Sequence, residues 1–366
     1  FRAAVERARA VLRHQEAAAL QARLSRLLEF LDHHRPESSA EAAWSERILV
    51  KSSGEILFLK RRRFARVGLE AGVGIHLARG LRDLGYHVDI YEARQLSKFL
   101  RVRRNKTDAG AATGIAQAGR LAGPLVSKVH LKSLECQALL CRLKIRRQLI
   151  GARMRALNLL CRQLELFGGR IRSHPRSLSL HGEVNAQIKK LFGKTQVPLV
   201  TDLLGLLTYC EDLMRRQSAL DKELKRLALG NDVCRRMMDI PGVGPICALT
   251  FYAAVSEPER FRKSADVGPY LGLTPKVHQS GLTRRSGRIS RMGHRDARSL
   301  LIQASIRFMM CASPDMALRA WTSAVELRRG RGKSRVALAR KLARIMLAMW
   351  KSGEVYRPKL VEPAAT

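Results

Sequence analysis

The chain has 366 residues, with 68 Lys and Arg against 31 Asp and Glu and a net charge of +37. That length suffices for two or three domains with real cores, and a field of that size attracts polyanions and makes association sensitive to salt. Nucleic acid is the leading partner and an anionic membrane surface the alternative; no apolar run approaches the ~18 residues of a membrane span, and the Ala/Arg/Leu-rich start, broken by charges, does not read as a signal peptide. The cysteines at 136, 141, 161, 210, 234, 247 and 311 contain no CxxC pair. They read as free, mostly buried thiols of a reducing compartment, with neither a zinc site nor a disulfide framework. A cytoplasmic protein associated with the nucleoid is expected.

Taken in chain order, residues 1–31 read as an amphipathic helix ended by HHRPESS. ERILVKSSGEILFL (46–59) reads as two short strands about Ser-Gly. FARVGLEAG (64–72) is a strand ending on Glu70, VGIHLARGLRDLG a helix closed by Gly85, and YHVDIY another strand. A helix follows from about 106 to 121. This β-β-β-α-β-α order predicts an α/β domain with a mixed sheet.

Residues 133–165 form a long helix whose positions 136, 140, 143, 147, 150, 154, 157, 161 and 164 are apolar except for Arg147. Residues 199–227 repeat the stripe at 199, 203, 206, 210, 213, 217, 220, 224 and 227, with Gln217 as the polar member. Steps of four and three over about four heptads are the pattern of coiled-coil packing, in which one polar residue can set register or oligomer state. The stripes fit either an intramolecular hairpin or an oligomerisation arm. From 233 onward come a helix, a Pro-Gly-Val-Gly turn, a further helix, the basic stretch YLGLTPKVHQSGLTRRSGRISRMGHRDARSLL and an Arg-rich helical tail.

Four motifs bear on chemistry. IPGVGPICA (240–248) reads as a helix-hairpin-helix turn, in which Gly242 and Gly244 would let backbone N–H groups approach a phosphate without reading sequence; a plain interhelical turn is the alternative. HQSGLTRRSGRISRMGHR (278–295) sets serines 280, 286 and 290 near glycines among Arg284, Arg285, Arg288, Arg291 and Arg295. An exposed hydroxyl beside arginines suits attack on a phosphodiester, and the same stretch suits phosphate binding without chemistry. GRGKS (330–334) fails as a P-loop, because Leu327 stands where the first Gly is required. Glu70 at a strand end and Asp108 at a helix start could meet at a sheet edge and hold Mg²⁺ through oxygen ligands. Asp108 alone is equally a helix N-terminal acid stabilised by the dipole. Before it stand Arg101, Arg103, Arg104 and Lys106.

VGLEAG, RNKTDAGAATGIAQ, DIPGVGPICALTF, FRKSADVGPYLGLTPKVHQSG, GRISRMG and VALARKLARIMLAMW occur in that order across residues 44–356. Together they resemble the insertion-sequence transposases of the IS one-ten family. The resemblance implies an α/β plus α architecture. A degenerate RNase H-like (RuvC-like) domain would span 44–128, a coiled-coil helical arm 129–232 and a mainly helical serine transposase domain 233–356. The helix and linker of 1–43 lie outside the family pattern, and 357–366 form a tail. The resemblance also implies a Mg²⁺ site of four acids in the order Asp-Glu-Asp-Asp. Its further implications are a serine that attacks DNA to form a phosphoserine link, a structured non-coding guide RNA and a homo-oligomer acting on element ends and target DNA. Glu70 matches the family's glutamate, Asp108 its third acid, and Ser280 the nucleophile, with Ser290 as the fallback. Arg103, Arg104, Lys106, Gly242, Gly244, Arg284, Arg285, Arg288 and Arg291 are the expected nucleic-acid contacts.

The sequence departs from that pattern in two places. Ala111 stands where the fourth acid belongs, and the opening segment ESSAEAA (37–43), where the first acid should sit, has no Asp. Asp32 is the one Asp before residue 70, and Glu41 and Glu46 are substitutes outside a convincing strand. The expectation is a degraded or frameshifted copy with two of four acids, in which nucleic-acid binding outlives chemistry. The competing readings are therefore a recombinase, a binding protein of the same fold without chemistry, and a membrane-surface protein.

Overall fold

In the computed structural model, residues 66–72, 74–100, 108–121, 126–173, 180–193, 198–280, 283–314 and 316–360 are described. The readings for 1–31 and 46–59, and those for Arg101, Arg103, Arg104 and Lys106, lie outside them. The chain divides after Leu131 into two compact units.

The first unit is α/β. Strand β1 (Val67–Glu70) leads through helix α1 (Gly74–Asp83) to β2 (Val88–Tyr91), and the two strands pair in parallel, with Val67 opposite Val88 and Glu70 opposite Tyr91. A helical crossover is the connection parallel pairing requires. Helix α2 (Ala93–Leu100), which the sequence reading missed, precedes α3 (Asp108–Leu121). The small residues of α3 have a packing reason. A Cβ on Gly68 of β1 would come within 2.9 Å of Ile115 Cγ2, and one on Gly119 within 3.1 Å of the Tyr91 hydroxyl. Glycines at both contacts let helix and sheet close on one another. All four residues of β2 are buried, as expected for a strand covered on both faces. One of them is Asp89, whose carboxylate meets Lys128 Nζ at 2.9 Å and Arg66 at 3.5 Å, with the Tyr91 hydroxyl donating to it at 3.4 Å.

The second unit is helical. Helices α4 (Leu134–Leu166) and α6 (Pro198–Gly230) pair antiparallel. Arg142 bonds Glu223 and Arg146 bonds Asp221 at one end, while Leu157, Leu160 and Leu164 join Leu203, Leu207 and Cys210 in one cluster at the other. Helix α5 (Leu180–Phe192) adds Leu180, Val184 and Ile188 to that far end, so three helices meet there. The α6 stripe is buried as read at 203, 210, 213 and 224, but then shifts from Leu227 to Ala228. In α4, Arg147 leaves the seam. It is exposed and pairs with Asp296, and Arg153 is buried instead. A helix of 3.6 residues per turn drifts across a 3.5-residue stripe, and contacts beyond the pair decide where the stripe is abandoned.

Helices α7 (Asp232–Met238) and α8 (Pro245–Val255) follow. Eight of the eleven α8 residues are buried, which makes it the centre of the main core. Around it close α4, the short α9 (Val267–Tyr270), α10 (Arg295–Cys311) and α12 (Arg331–Ser352). Helix α11 (Ala317–Arg329) packs on α12. Gly330, at φ +81°, breaks α11 from α12 within GRGKS. Among the described residues no helix is long and apolar enough to cross a membrane. The seven cysteines are free, and burial pushes the Cys234 and Cys247 thiols up to about 12.

Candidate nucleic-acid interface

In the first unit Glu70 is the exposed last residue of β1, and Asp108 is the first residue of α3. Their positions at a strand end and a helix start agree with the sequence. Position 111, one turn into α3, is Ala. Among the described residues no group of three or more His, Cys, Asp or Glu side chains is arranged to hold a metal ion.

In the second unit the IPGVGPICA turn joins α7 to α8. Gly242 takes φ +83°, and a Cβ there would run into the backbone of α10 at Ala304 and Phe308. That face is therefore occupied by packing. Gly244 differs: it caps α8 ahead of Pro245, and a Cβ on it would meet open space.

The basic stretch forms a hairpin. Strand β3 (Pro275–Ser280) pairs antiparallel with β4 (Thr283–Ile289), with Ser280 opposite Thr283, Gln279 opposite Arg284, His278 opposite Arg285 and Val277 opposite Ser286. Directly opposed residues share a face and neighbours alternate. Ser280 therefore stands at the tip on the face of His278, Thr283 and Arg285, and Ser286 lies on the other. Every residue of β3 is exposed, as are Arg285 and Arg288. Ser290 belongs elsewhere: it is half-buried at the hairpin base, where its N–H donates to Thr274 O at 2.8 Å.

The base is built with little tolerance. Gly272 takes φ +68° and Gly293 φ +88°; a Cβ on the first would overlap Met292, and on the second Tyr270 O. Arg291 takes φ +55°, rare for a residue with a side chain, and its N–H donates to Gly272 O at 3.3 Å. The buried Arg298 guanidinium donates to Leu271 O at 2.9 Å and Met292 O at 3.4 Å, tying the two sides together. His294 caps α10, its Nδ1 accepting from Ala297 N–H at 3.2 Å. Burial pushes this imidazole below its ordinary value, and Lys132, Arg147 and Arg298 add to the effect against Asp296. The neutral form favoured in this way is the form the cap needs. Sequence reasoning missed His294 and Arg298 as supports of the hairpin. It also missed the placing of His278 beside Ser280, for which alternation on either side of Gly281-Leu282 was the available signal.

A family profile described as Transposase IS116/IS110/IS902 family matches residues 234–320, the segment from α7 through the hairpin into α11. A putative transposase of Sinorhizobium fredii, y4pF/y4sB, is 30% identical over 298 residues, which cover 80% of this chain and 74% of that protein. The transposase for insertion sequence element IS1111A of Coxiella burnetii is 29% identical, covering 77% of this chain and 76% of its own. A probable family 20 transposase of Pseudomonas aeruginosa is 28% identical, covering 80% and 86%. The chain belongs to the IS116/IS110/IS902 family of insertion-sequence transposases, the family that the sequence resemblance names after its middle member.

Proposed function

We propose that the chain is a DNA recombinase of its insertion sequence, with Ser280 as nucleophile, acting on element ends and target DNA as a homo-oligomer with a structured guide RNA. The observation that carries the reading is the exposed hairpin, with Ser280 at its tip and His278 and Arg285 on the same face. In the step proposed, Ser280 Oγ forms a bond to a DNA phosphorus as the bond from that phosphorus to a deoxyribose oxygen breaks. The hydroxyl proton ends, by way of solvent, on the departing oxygen. Arg285, with Arg288 and Arg291 nearby in sequence, supplies positive charge for the phosphate oxygens. The net charge of +37 favours association with any polyanion and accounts for affinity without sequence reading.

Glu70 and Asp108 offer carboxylate oxygens, the donor type that suits Mg²⁺, which can be held by one or two carboxylates together with substrate phosphates. Such an ion supplies neutralisation of charge developing on a transferring phosphoryl group. With Ala111 in place of a further acid, metal affinity is reduced and the activity impaired. Ala111 also favours the second reading, a nucleic-acid-binding remnant without chemistry.

The test is incubation of the full chain with Mg²⁺, the element's non-coding RNA and labelled donor DNA. A covalent protein–DNA adduct that disappears in Ser280→Ala and increases in Ala111→Asp is expected. Salt-sensitive binding with no adduct in either the native chain or Ala111→Asp would establish the remnant reading.

A further inference from the structure

A cavity of about 770 Å³ opens in the second unit between α4, α6, α8 and α10, with His294 and Asp296, just beyond the hairpin base in the chain, among its lining residues. Its size falls within the range of small-molecule pockets, about 300–1,000 Å³. Its walls are mixed. Leu140, Ile150 and Leu300 provide apolar surface, while Lys144 and Arg147 are exposed cations. Two polar atoms on its lining are buried with no hydrogen-bond partner: Arg153 Nε and Gln217 Oε1. Arg153 is only 8% exposed. One is a donor and the other an acceptor. Buried polar groups in folded proteins are almost always paired, so an unpaired donor and acceptor on one cavity wall call for a reason. Arg147 and Gln217 are also the two polar interruptions of the long-helix stripes. Arg147 reaches Asp296 at the cavity, and Gln217 lines the cavity while its Nε2 donates to Asp221 at 3.3 Å, leaving its Oε1 unpaired.

We propose that this cavity takes one unstacked nucleotide of a nucleic-acid strand. The base lies among Leu140, Ile150 and Leu300, its edge pairs with Gln217 Oε1 and Arg153 Nε, and its phosphate rests on Lys144 and Arg147. Each part of the lining meets one part of that ligand: apolar walls for the ring, a donor and an acceptor for the edge, cations for the backbone. Single-stranded segments are recognised in this way, by holding an unstacked base and reading its edge. The Arg147–Asp296 pair at the rim opens when a phosphate competes for the guanidinium. The inference rests on the nucleic-acid binding proposed above.

The test uses the full chain and short duplexes of DNA and of RNA: uninterrupted, with a one-nucleotide bulge, and with the bulge nucleotide abasic. Affinity is read by fluorescence anisotropy at fixed salt. The bulged duplex should bind about tenfold tighter than the uninterrupted one, the gain of a well-paired base edge. The abasic bulge, which keeps the backbone kink, should lose that gain. Gln217→Leu, which removes the unpaired acceptor, and Leu300→Trp, which fills the cavity, should each remove the gain while leaving duplex affinity unchanged. Gain with the DNA bulge alone, or with the RNA bulge alone, identifies the strand that supplies the nucleotide. Equal affinity for bulged and uninterrupted duplexes overturns the pocket and leaves general nucleic-acid binding standing. An abasic bulge bound as tightly as the full one also overturns it, by assigning the gain to bending. No salt-sensitive binding to any probe overturns both.

Discussion

The two units differ in what holds them together. The described core of the α/β unit is two small clusters, one around Ala78, Leu81, Val88 and Ile90, the other around Tyr91, Leu96, Ala118 and Val126. The helical unit has one continuous cluster from Cys136 to Met349 and a second at the far end of its long helices. The family match at 234–320 lies wholly in the helical unit. The departure at Ala111 lies in the other. Glycines wedged against backbone, such as Gly242 and Gly272, cannot be replaced without moving the chain. The helical unit has its serine hairpin seated on residues of this kind.

The largest effect expected is on chemistry. Ser280→Ala should bring the covalent adduct to background, whereas Ser290→Ala, at the half-buried hairpin base, should leave it near the native level. Retention of the adduct in Ser280→Ala, measured on a denaturing gel, would move the nucleophile off the tip.

Next come changes that should strike one unit and spare the other. With separate cores, two transitions are expected in urea, the α/β unit melting first. Gly272→Ala combines a left-handed backbone with overlap on Met292, and should destabilise the helical unit by about 3 kcal/mol. It should lower the second midpoint only; an unmoved midpoint means that the hairpin base is looser than its contacts indicate. Asp89→Asn removes the charge that Lys128 and Arg66 meet in β2. It should cost the α/β unit about 2 kcal/mol, read as a fall in the first midpoint alone. A single shared transition that both variants shift would erase the distinction between the units.

The smallest effect is a dependence on pH. The folded imidazole of His294 sits below its ordinary value, so the folded state holds fewer protons there than the unfolded chain. Its contribution is fully present above the ordinary histidine value of about 6.5 and is lost as pH falls through the lowered folded value. The helical unit's melting temperature, followed from neutral to mildly acidic pH, should fall in the native chain. His294→Asn, which can cap without titrating, should flatten this part of the slope; an unchanged slope assigns the pH dependence to other groups.

Much of this protein is local and therefore legible in its sequence. The long helices follow from apolar spacing, the βαβ order from alternating patterns, and the turn at 241–244 from its glycines. The place of Glu70 at a strand end and Asp108 at a helix start also needed only short-range signals. What the tertiary structure alone decided depends on residues far apart in the chain. Arg147 leaves its stripe because Asp296, about 150 residues on, is within reach. Gly242 is required by α10, whose backbone a Cβ there would meet. Ser280 and Ser290, ten residues apart and alike in sequence setting, are separated by strand pairing into an exposed tip and a half-buried base. Asp89 reads as one polar residue in a strand, yet it is buried because Lys128 and Arg66 converge on it. Helix and strand periods are set by neighbouring residues, whereas burial and charge pairing are set by whatever the fold brings alongside, and no local pattern encodes that.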